Sequence, residues 1–570
     1  MSGSIQFGEF TLEMSERRLT RAGRPVALEP KTYDLLVILA RHAGRLLTKR
    51  ELLDLVWPES FVEEGILAVH VSNLRRVLGD GSRRRRYIET ISRSGYRFIG
   101  RVTAADVTRS PQSTRNTREP SIAVLPFENM SGEKENEYFS DGLAEEISNA
   151  LARIPELKVI ARTSAFAFKG KHEDVRLIAE ALGVSTVLEG SVRRAGSRVR
   201  VTAQLIAGAD GSHLWSERYE REMTDVFAIQ DEIAQAIAGA LHVQLSPRPG
   251  PVRHSPKLPA YDALLKGRHH MLGVTAESLA RAKECFEYAM ALDPDYSDPH
   301  ANLGLSYFLA SMVGARSLKE TMPLLRTEGK EALRLDPFES GPHLLLGAVA
   351  AAYDYDWTRA AEHFSVSTSG RSVPAEAHWA YASLYFQPFG RFSEAVFQME
   401  RAVEHDPLNG FWRGILASHL THAGLYDRAI AEANEALKFD ATSFVAHFSL
   451  GEAYATLGRW PEAIAALERA YENSPENAMT IGLLAGSLVR AGETTRADEL
   501  VREMGEAPRP IIGRVLYHWL CADLNRAADW YEHAIEQRDP FALVFANGPL
   551  GSGFRQSTRW PKLARMMNLA

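Results

Sequence analysis

Residues 62–80, VEEGILAVHVSNLRRVLGD, decide the fold of the amino-terminal part of the chain. At ~3.6 residues per helical turn, one narrow stripe of this segment carries Leu67, Val71, Leu74 and Leu78. The opposite side carries Val69, Ser72, Asn73 and Arg76, with His70 and Arg75 at its margins. Such a helix packs one side into a core and leaves the other free to enter a groove. We name this segment the reading helix.

The flanking segments predict short strands, two further helices and a closing hairpin. Residues 7–28 alternate apolar and polar residues around Gly23, which is typical of paired strands. Helical spacing begins at Pro30, and a second short helix is predicted in residues 48–58, where Thr48 and Glu51 stand at capping-box spacing. After the reading helix, residues 83–100 predict two strands around a turn at Ser94. The predicted order is therefore strands, three helices and a hairpin.

This order resembles the DNA-binding effector domain of the OmpR/PhoB response-regulator family over residues 5–101. The residues that carry the resemblance are Leu28, Pro30, Tyr33, Leu35, Leu36, Arg50, Glu51, Leu52, Val56, Trp57, Val69, Leu74, Arg75, Leu78, Ile88, Thr90, Gly95 and Tyr96. The resemblance implies that Val69, Ser72, Asn73 and Arg75 face the major groove of double-stranded promoter DNA, while residues near Arg93 reach the minor groove. The full predicted DNA-binding set is Val69, His70, Ser72, Asn73, Arg75, Arg76, Arg83, Arg84, Arg85, Arg86 and Arg93.

The distribution of charge supports the same assignment without the resemblance. Through Arg101 the chain has eighteen Lys and Arg against twelve Asp and Glu, a net of +6. The whole chain has a net charge of -6, which leaves -12 for the remainder. Phosphate therefore attracts the amino-terminal part and repels the rest. The densest basic run, Arg83–Arg86, directly precedes the hairpin, where we expect it to hold the DNA backbone.

The rest of the composition is that of a globular protein with no predicted cofactor or metal. No uncharged apolar run reaches the ~18 residues of a membrane helix, and no export signal starts the chain. Cys285 and Cys521 form neither a disulfide framework nor a metal motif, which favours a reducing cytoplasmic compartment. Residues 1–103 are expected to form the winged helix, and residues 104–118, rich in Ser, Thr and Arg, a linker.

Residues 119–246 predict a small α/β domain with alternating strands and helices. The strings AVLPFENMSG, YFSDGLAEEI, VLEGSVRRAG and LWSERYER resemble a TolB-like domain, which implies no established reaction. Asp141, Glu145 and Glu146 stand at helical spacing, but an acidic first turn explains them without catalysis. The turn at residues 208–212 lacks the strand-to-helix context of a phosphate loop, and no catalytic motif is present.

After a second linker at residues 247–258, the remainder of the chain is repetitive. Gly390, Gly424, Gly458 and Gly492 recur at one constant interval, as do Ala395, Ala429, Ala463 and Ala497. The interval is that of tetratricopeptide repeats, in which stacked helix pairs bury a shared core and leave a groove for contact. Residues 259–570 are therefore expected to form a helical solenoid with an unidentified protein ligand.

Together these features predict a multidomain α/β plus all-α chain: a winged helix-turn-helix, a TolB-like α/β domain and a tetratricopeptide α-solenoid. The predicted function is a cytoplasmic, non-enzymatic transcription regulator, with the TolB-like and repeat regions mediating signal input or protein contact. RNA polymerase is a further candidate partner, and no membrane contact is expected. Two alternatives remain open: a scaffold that uses the winged helix for protein contact, and a nucleotide-using enzyme built on the middle domain.

Overall fold

The computed structural model divides the chain into two compact units, Met1–Asn116 and Thr117–Ala570. It describes residues 4–569 with gaps at 8–9, 14–17, 22–23, 27, 29, 42–45, 57–63, 81–86, 92–94, 101, 105–119, 132–136, 155, 172, 223–225, 242, 244–253, 274, 313–315, 370–371 and 506–509. The division between the units falls inside the predicted linker 104–118, and the other domain limits remain predictions.

The first unit contains short strands around helices. In chain order its elements are β1 (Ser4–Phe7), β2 (Phe10–Glu13), β3 (Arg18–Arg21), β4 (Arg24–Val26), α1 (Pro30–Arg41), β5 (Leu46–Thr48), α2 (Lys49–Val56), α3 (Glu64–Leu78), β6 (Ile88–Ile91), β7 (Gly95–Phe98) and β8 (Val102–Ala104). The reading helix is α3. The predicted order of strands, three helices and hairpin is confirmed, and helix α1 begins at Pro30 as expected.

Three strands of this unit lie wholly or mostly outside the sequence prediction: β1, β5 and β8. The first sheet has the order β4-β3-β2-β1-β8, so the last strand returns to the first. The second joins β5 to the hairpin as β5-β7-β6, with Leu46 opposite Arg97 and Thr48 opposite Gly95. Strands β5 and β8 are too short to show a period of two, and only their partners define them.

The core of the first unit places the reading helix against α1 and the hairpin. Its fully buried side chains include Leu35, Leu36, Leu39, Leu52, Leu67, Val71, Leu74, Leu78, Ile88 and Phe98. Aromatic rings of the first sheet and of the hairpin contact each other here. The ring centroids of Phe7 and Phe98 are 5.2 Å apart, in an edge-to-face arrangement. This packing fixes which side of the reading helix remains at the surface.

The second unit starts with a mixed sheet covered by helices. Its elements are β9 (Ser121–Val124), β10 (Glu128–Asn129), α4 (Glu137–Ala152), β11 (Lys158–Val159), α5 (Arg162–Phe166), α6 (Val175–Leu182), β12 (Thr186–Ala195), β13 (Arg198–Ala207), β14 (His213–Glu222) and α7 (Val226–Ala240). The sheet order is β11-β9-β12-β13-β14, with β10 beside β12. Strands β11, β9 and β12 are parallel, whereas β12, β13 and β14 are antiparallel. Strands β12 and β13 form a hairpin that turns at Gly196, whose φ is +60°.

Helix pairs make up the rest of the second unit. They begin with α8 (Leu258–Met271), α9 (Ala276–Leu292), α10 (Ser297–Met312), α11 (Leu318–Leu335), α12 (Gly341–Val349), a π-helical turn (Ala350–Asp354), α13 (Trp357–Ser367), α14 (Ala375–Ala380), a π-helical turn (Tyr381–Phe386) and a 3-10 turn (Gln387–Phe389). They continue with α15 (Phe392–His405), α16 (Gly410–His422), α17 (Tyr426–Phe439), α18 (Phe444–Thr456), α19 (Trp460–Asn473), α20 (Ala478–Ala491), α21 (Thr494–Met504), α22 (Pro510–Leu520), α23 (Leu524–Glu536), α24 (Phe541–Phe545), a 3-10 turn (Pro549–Gly551), α25 (Ser552–Arg555) and α26 (Trp560–Met566).

The repeat interval has the predicted structural basis. The four repeating glycines all have left-handed backbones, with φ between +66° and +93°, at the turn between the two helices of a pair. The four repeating alanines are almost completely buried, which lets neighbouring helices approach closely. Successive first helices of the pairs contact one another, as α16 contacts α18 and α20 contacts α22.

The carboxy-terminal segment packs back onto much earlier repeats. Trp357 Nε1 donates a hydrogen bond to the carbonyl oxygen of Met567 at 2.9 Å, and Asn568 Nδ2 donates to the carbonyl of Tyr355 at 3.2 Å. The Phe545 ring lies 5.8 Å from the ring of His422. The chain beyond residue 540 therefore closes the array by contacts with repeats that lie far back in the sequence.

The mixed sheet also docks on the repeats. Buried Asp406, at the end of α15, accepts hydrogen bonds from Thr163 and Ser164 at 2.5 Å each. Beside it, the amide of Ala161 donates to the carbonyl of His405 at 2.8 Å. Because these contacts join distant parts of the sequence, the sheet and the repeats form a single compact unit.

Candidate nucleic-acid interface

The reading helix presents the side that its sequence pattern predicts. Leu67, Val71, Leu74 and Leu78 are at most 4% exposed, while Val69 is 58% exposed. Ser72 and Arg76 lie at the surface beside Val69, and Asn73 is half-buried. An apolar side chain exposed at this position can contact a thymine methyl group in the major groove. The surface therefore combines apolar, amide, hydroxyl and cationic groups, which are the groups that recognise base edges.

His70 and Arg75, at the margins of this face, are engaged within the protein. His70 Nδ1 lies 2.7 Å from Thr32 Oγ1, a contact that joins the reading helix to α1. Arg75 Nη2 donates to the carbonyl oxygen of Ile88 at 2.9 Å and to Thr90 Oγ1 at 2.6 Å. Arg75 therefore holds strand β6 of the hairpin against the reading helix, a role that the sequence pattern did not indicate.

The residues at the end of the reading helix position the first strand of the hairpin. Gly79 has φ +66°, and the Asp80 amide donates to the carbonyl of Arg75 at 2.8 Å, which together form a helix-ending motif. The buried carboxylate of Asp80 then accepts a hydrogen bond from the Ile88 amide at 2.9 Å. The position of the hairpin is thus determined by the last turn of the helix.

Part of the predicted DNA-binding set lies outside the described residues. This applies to Arg83, Arg84, Arg85, Arg86 and Arg93. Ala68, which the sequence argument did not include, is also exposed on the reading helix, one turn before Ser72. Its spacing with Ser72 and Arg76 could have identified it, but a small apolar residue carries no chemical signal of its own.

The acidic residues of α4 are engaged in ion pairs. Asp141 accepts from Lys169 at 2.7 Å, and Glu145 pairs with Arg162 at 3.2 Å. Glu146 contacts Arg268 at 2.5 Å. The expectation of an acidic first turn is wrong, because α4 begins at Glu137 and these three carboxylates lie in its second and third turns. Neutralisation by neighbouring cations accounts for them instead. Across the described residues, no group of three or more His, Cys, Asp or Glu side chains is arranged to hold a metal ion.

Comparison with known protein families agrees with both units. Residues 23–98 match the model "Transcriptional regulatory protein, C terminal". Residues 389–444 and 444–477 match tetratricopeptide repeat models. Residues 119–246 are covered by none of these matches, so their TolB-like character remains a prediction.

Several characterised proteins are similar to parts of the chain. Transcriptional regulator HilA of Salmonella typhi is 24% identical over 432 residues, which is 74% of each chain. Putative adenylate cyclase 3 of Rhizobium meliloti is 45% identical over 192 residues, 33% of this chain and 32% of the relative, so the chain spans about a third of that protein. The solved DNA-binding domain of Escherichia coli CadC is 34% identical over 18% of this chain and 97% of its own, with a TM-score of 0.17.

The exposed face of the reading helix and the hairpin attached to it define a DNA-binding domain of the winged-helix class. The family match over residues 23–98 is more specific. Residues 23–98 form a domain of the OmpR/PhoB-type transcriptional regulatory proteins, and the second unit carries tetratricopeptide repeats. In the described part of the chain, no helix has the length and apolar character needed to cross a membrane.

Proposed function

We propose that this protein is a transcription regulator that inserts α3 into the major groove of promoter DNA. Val69, Ser72, Asn73 and Arg76 contact bases and phosphates, and Ala68 lets the helix approach closely. His70 and Arg75 hold α1 and the hairpin in position for this contact. The observation that carries the proposal is the outward face of the reading helix, where a 58% exposed valine lies beside an arginine.

The remaining basic residues of the predicted set extend this contact. Arg83–Arg86 bind backbone phosphates, and Arg93 reaches the minor groove from the hairpin. Phosphate contacts fix the register of a protein on DNA and make its affinity depend strongly on salt.

The second unit supplies protein contact in this proposal. Tetratricopeptide repeats form surfaces for protein ligands, and RNA polymerase is the candidate that would couple DNA binding to transcription. The TolB-like domain lies between the winged helix and the repeats in the sequence, and no reaction is assigned to it. The cyclase relative does not transfer an activity, because the chain spans only about a third of it.

Neighbouring arginines provide a matched test of the proposal. DNA fragments are first enriched from genomic DNA with the full chain, and their affinity is then measured by fluorescence anisotropy at several salt concentrations. Arg76→Ala should weaken binding by about 1–3 kcal/mol and leave the folded domain intact. Arg75→Ala should instead lower the stability of the first unit by about 1–3 kcal/mol, because the Ile88 carbonyl and Thr90 lose their donor.

Unchanged affinity and an unchanged salt slope in folded Arg76→Ala would contradict the proposed docking. Failure of the full chain to enrich any DNA over background would favour the scaffold alternative.

A further inference from the structure

Strand β14 forms one edge of the mixed sheet and leaves a long strand edge open. It pairs with β13 from Arg198 opposite Glu222 to Leu205 opposite Trp215. Among the described residues, no strand pairs with its other side. Every second N–H and C=O of such an edge is available to another strand, and β14 is ten residues long.

The charges along β14 are arranged to attract a second copy of the same strand. Residues 217–221 read Glu-Arg-Tyr-Glu-Arg. When two copies lie antiparallel with Tyr219 opposite Tyr219, each Glu217 meets the partner's Arg221 and each Arg218 meets the partner's Glu220. Two-fold symmetry doubles both contacts, which makes four opposite-charge pairs. These pairs are available because the side chains of Arg218, Glu220 and Arg221 are 57%, 40% and 48% exposed.

The same charges select one register. Successive side chains of a strand face opposite sides of the sheet. One strand of a symmetric pair can therefore shift along its partner only in steps of two residues if the sheet is to continue. A shift of two residues in one direction from the register centred on Tyr219 places Arg218 opposite the partner's Arg218. The shift in the other direction places Glu220 opposite the partner's Glu220 and forms two Arg218–Glu222 pairs, against the four opposite-charge pairs of the register centred on Tyr219. Like charges directly opposite each other disfavour both of these registers.

Contacts within the protein already hold the charged side chains of β14. Glu220 accepts from Arg218 at 3.1 Å and from Arg200 of the neighbouring strand at 3.3 Å. Arg221 lies 3.9 Å from Glu232 of α7, which covers one face of the strand. Such contacts reduce the side-chain entropy that pairing must overcome.

A charged edge can also serve only to prevent aggregation. That purpose is met by charges of one sign, especially lysines, which repel another copy in every register. The pattern of β14 differs, because both signs are present and the register centred on Tyr219 forms four opposite-charge pairs with no like charges directly opposed, whereas each neighbouring register opposes a like-charge pair.

We propose that β14 is a homodimer interface, in which a second copy of this chain adds its own β14 antiparallel to the first, centred on Tyr219. The two mixed sheets then become one continuous sheet. Formation of this dimer does not depend on DNA binding. Its functional consequence does rest on the proposed function: a dimer carries two winged helices, which suit paired half-sites on DNA.

Charge exchange tests the interface in the full-length chain by sedimentation. Glu217→Arg with Glu220→Arg makes the strand basic, and Arg218→Glu with Arg221→Glu makes it acidic. Each variant alone should raise the dimer dissociation constant at least about tenfold, whereas an equimolar mixture should recover dimers. Glu222→Arg is the matched control, because Glu222 faces the partner's Ser216 and its reversal should change little. Thermal unfolding confirms that each variant is folded.

Cysteine cross-linking tests the register separately. Ser216→Cys with Glu222→Cys should yield an intermolecular disulfide under mild oxidation, because opposed residues of paired strands have Cα atoms ~4.5–5.5 Å apart. The same two positions within one strand lie roughly 20 Å apart and cannot bridge. Ser216→Cys alone, with Cys285 and Cys521 unchanged, should not cross-link.

Three results would overturn the proposal. They are a monomeric full-length chain at all accessible concentrations, a dimer unaffected by both charge reversals, and a dimer in which the cysteine pair fails to link. Loss of DNA binding in a chain that still dimerises would count against the proposed function and leave the interface standing.

Discussion

At the scale of single residues, neighbouring positions in one pattern have different roles. Arg75 and Arg76 are adjacent and equally basic, yet Arg75 is hydrogen-bonded to the hairpin and Arg76 points to the surface. Histidines show the same diversity: His269 is exposed, while His378 and His405 are buried with stacked rings 5.8 Å apart. Composition alone cannot separate these roles, because burial depends on the partners that the fold supplies.

The buried histidines make the second unit sensitive to acid. Burial lowers the pKa of His378 and of His405 to about 4, against an ordinary value near 6.5. Between these values the unfolded chain binds protons that the folded chain excludes, so stability must fall as pH falls from about 6.5 towards 4. His405→Phe removes one such group and should reduce the drop in melting temperature between pH 7 and pH 5.

Differential scanning calorimetry of both proteins at several pH values measures this effect. The charged groups around His405 are Arg401, Lys158 and Glu404, and they are unchanged in the variant. His269→Phe is the matched control, because it makes the same substitution at an exposed position of the same unit. The explanation fails if His405→Phe keeps the full pH dependence of the original chain.

At the scale of elements, one arginine joins three helices of the second unit. Arg268 on α8 is 14% exposed in its side chain and lies 2.5 Å from Glu146 on α4. It also lies 3.6 Å from Glu145 and 3.5 Å from Asp298 at the start of α10. The guanidinium therefore compensates three carboxylates where the mixed sheet meets the first repeat.

Arg268→Met should destabilise the second unit by about 3–5 kcal/mol, because it leaves buried carboxylates without a counter-charge. Denaturant unfolding with tryptophan fluorescence measures the change. Arg281→Met is the matched control, since its partner Glu277 is 77% exposed in its side chain and an exposed pair contributes at most about 1 kcal/mol. Equal effects of the two substitutions would show that the buried cluster is not important to docking.

At the scale of the whole molecule, the second unit depends on contacts between segments that are far apart in the chain. The second unit is closed by contacts between distant segments: the mixed sheet docks at Asp406, and the carboxy-terminal segment docks at Tyr355 and Trp357. The core of the repeats includes Phe545, Phe554, Leu563 and Met567 from that segment. The repeats are therefore not a simple chain of independent neighbours.

Removal of residues 541–570 should lower the melting temperature of the second unit by roughly 10 °C or more, because several fully buried apolar side chains are lost. The first unit should melt as before. Calorimetry of the truncated and full-length chains compares the two transitions. Trp357→Phe, which loses the hydrogen bond to Met567 and part of the packing of the indole ring, should cause a smaller decrease. A truncated chain as stable as the original would contradict this closure of the array.

Much of the fold follows from local pattern in the sequence. The stripe of Leu67, Val71, Leu74 and Leu78 predicted the buried side of α3, and the regularly recurring glycines predicted the repeat turns. The stripe arises from side chains a few residues apart on the same element, where geometry is set by the helical period. The glycines mark the same turn in each successive helix pair. The helical period also predicted the exposed side of the reading helix.

What only the tertiary structure decided is the set of contacts between residues far apart in the chain. The binding of Arg75 to the hairpin, the ion pairs of α4, the return of residues beyond 540 and the open edge of β14 all depend on which elements become neighbours. The sequence by itself determined the winged-helix class, the reading face and the repeat period, because these are encoded by spacing within single elements or single repeats. Pairing between elements leaves no periodic signal, since it depends on packing of the whole core.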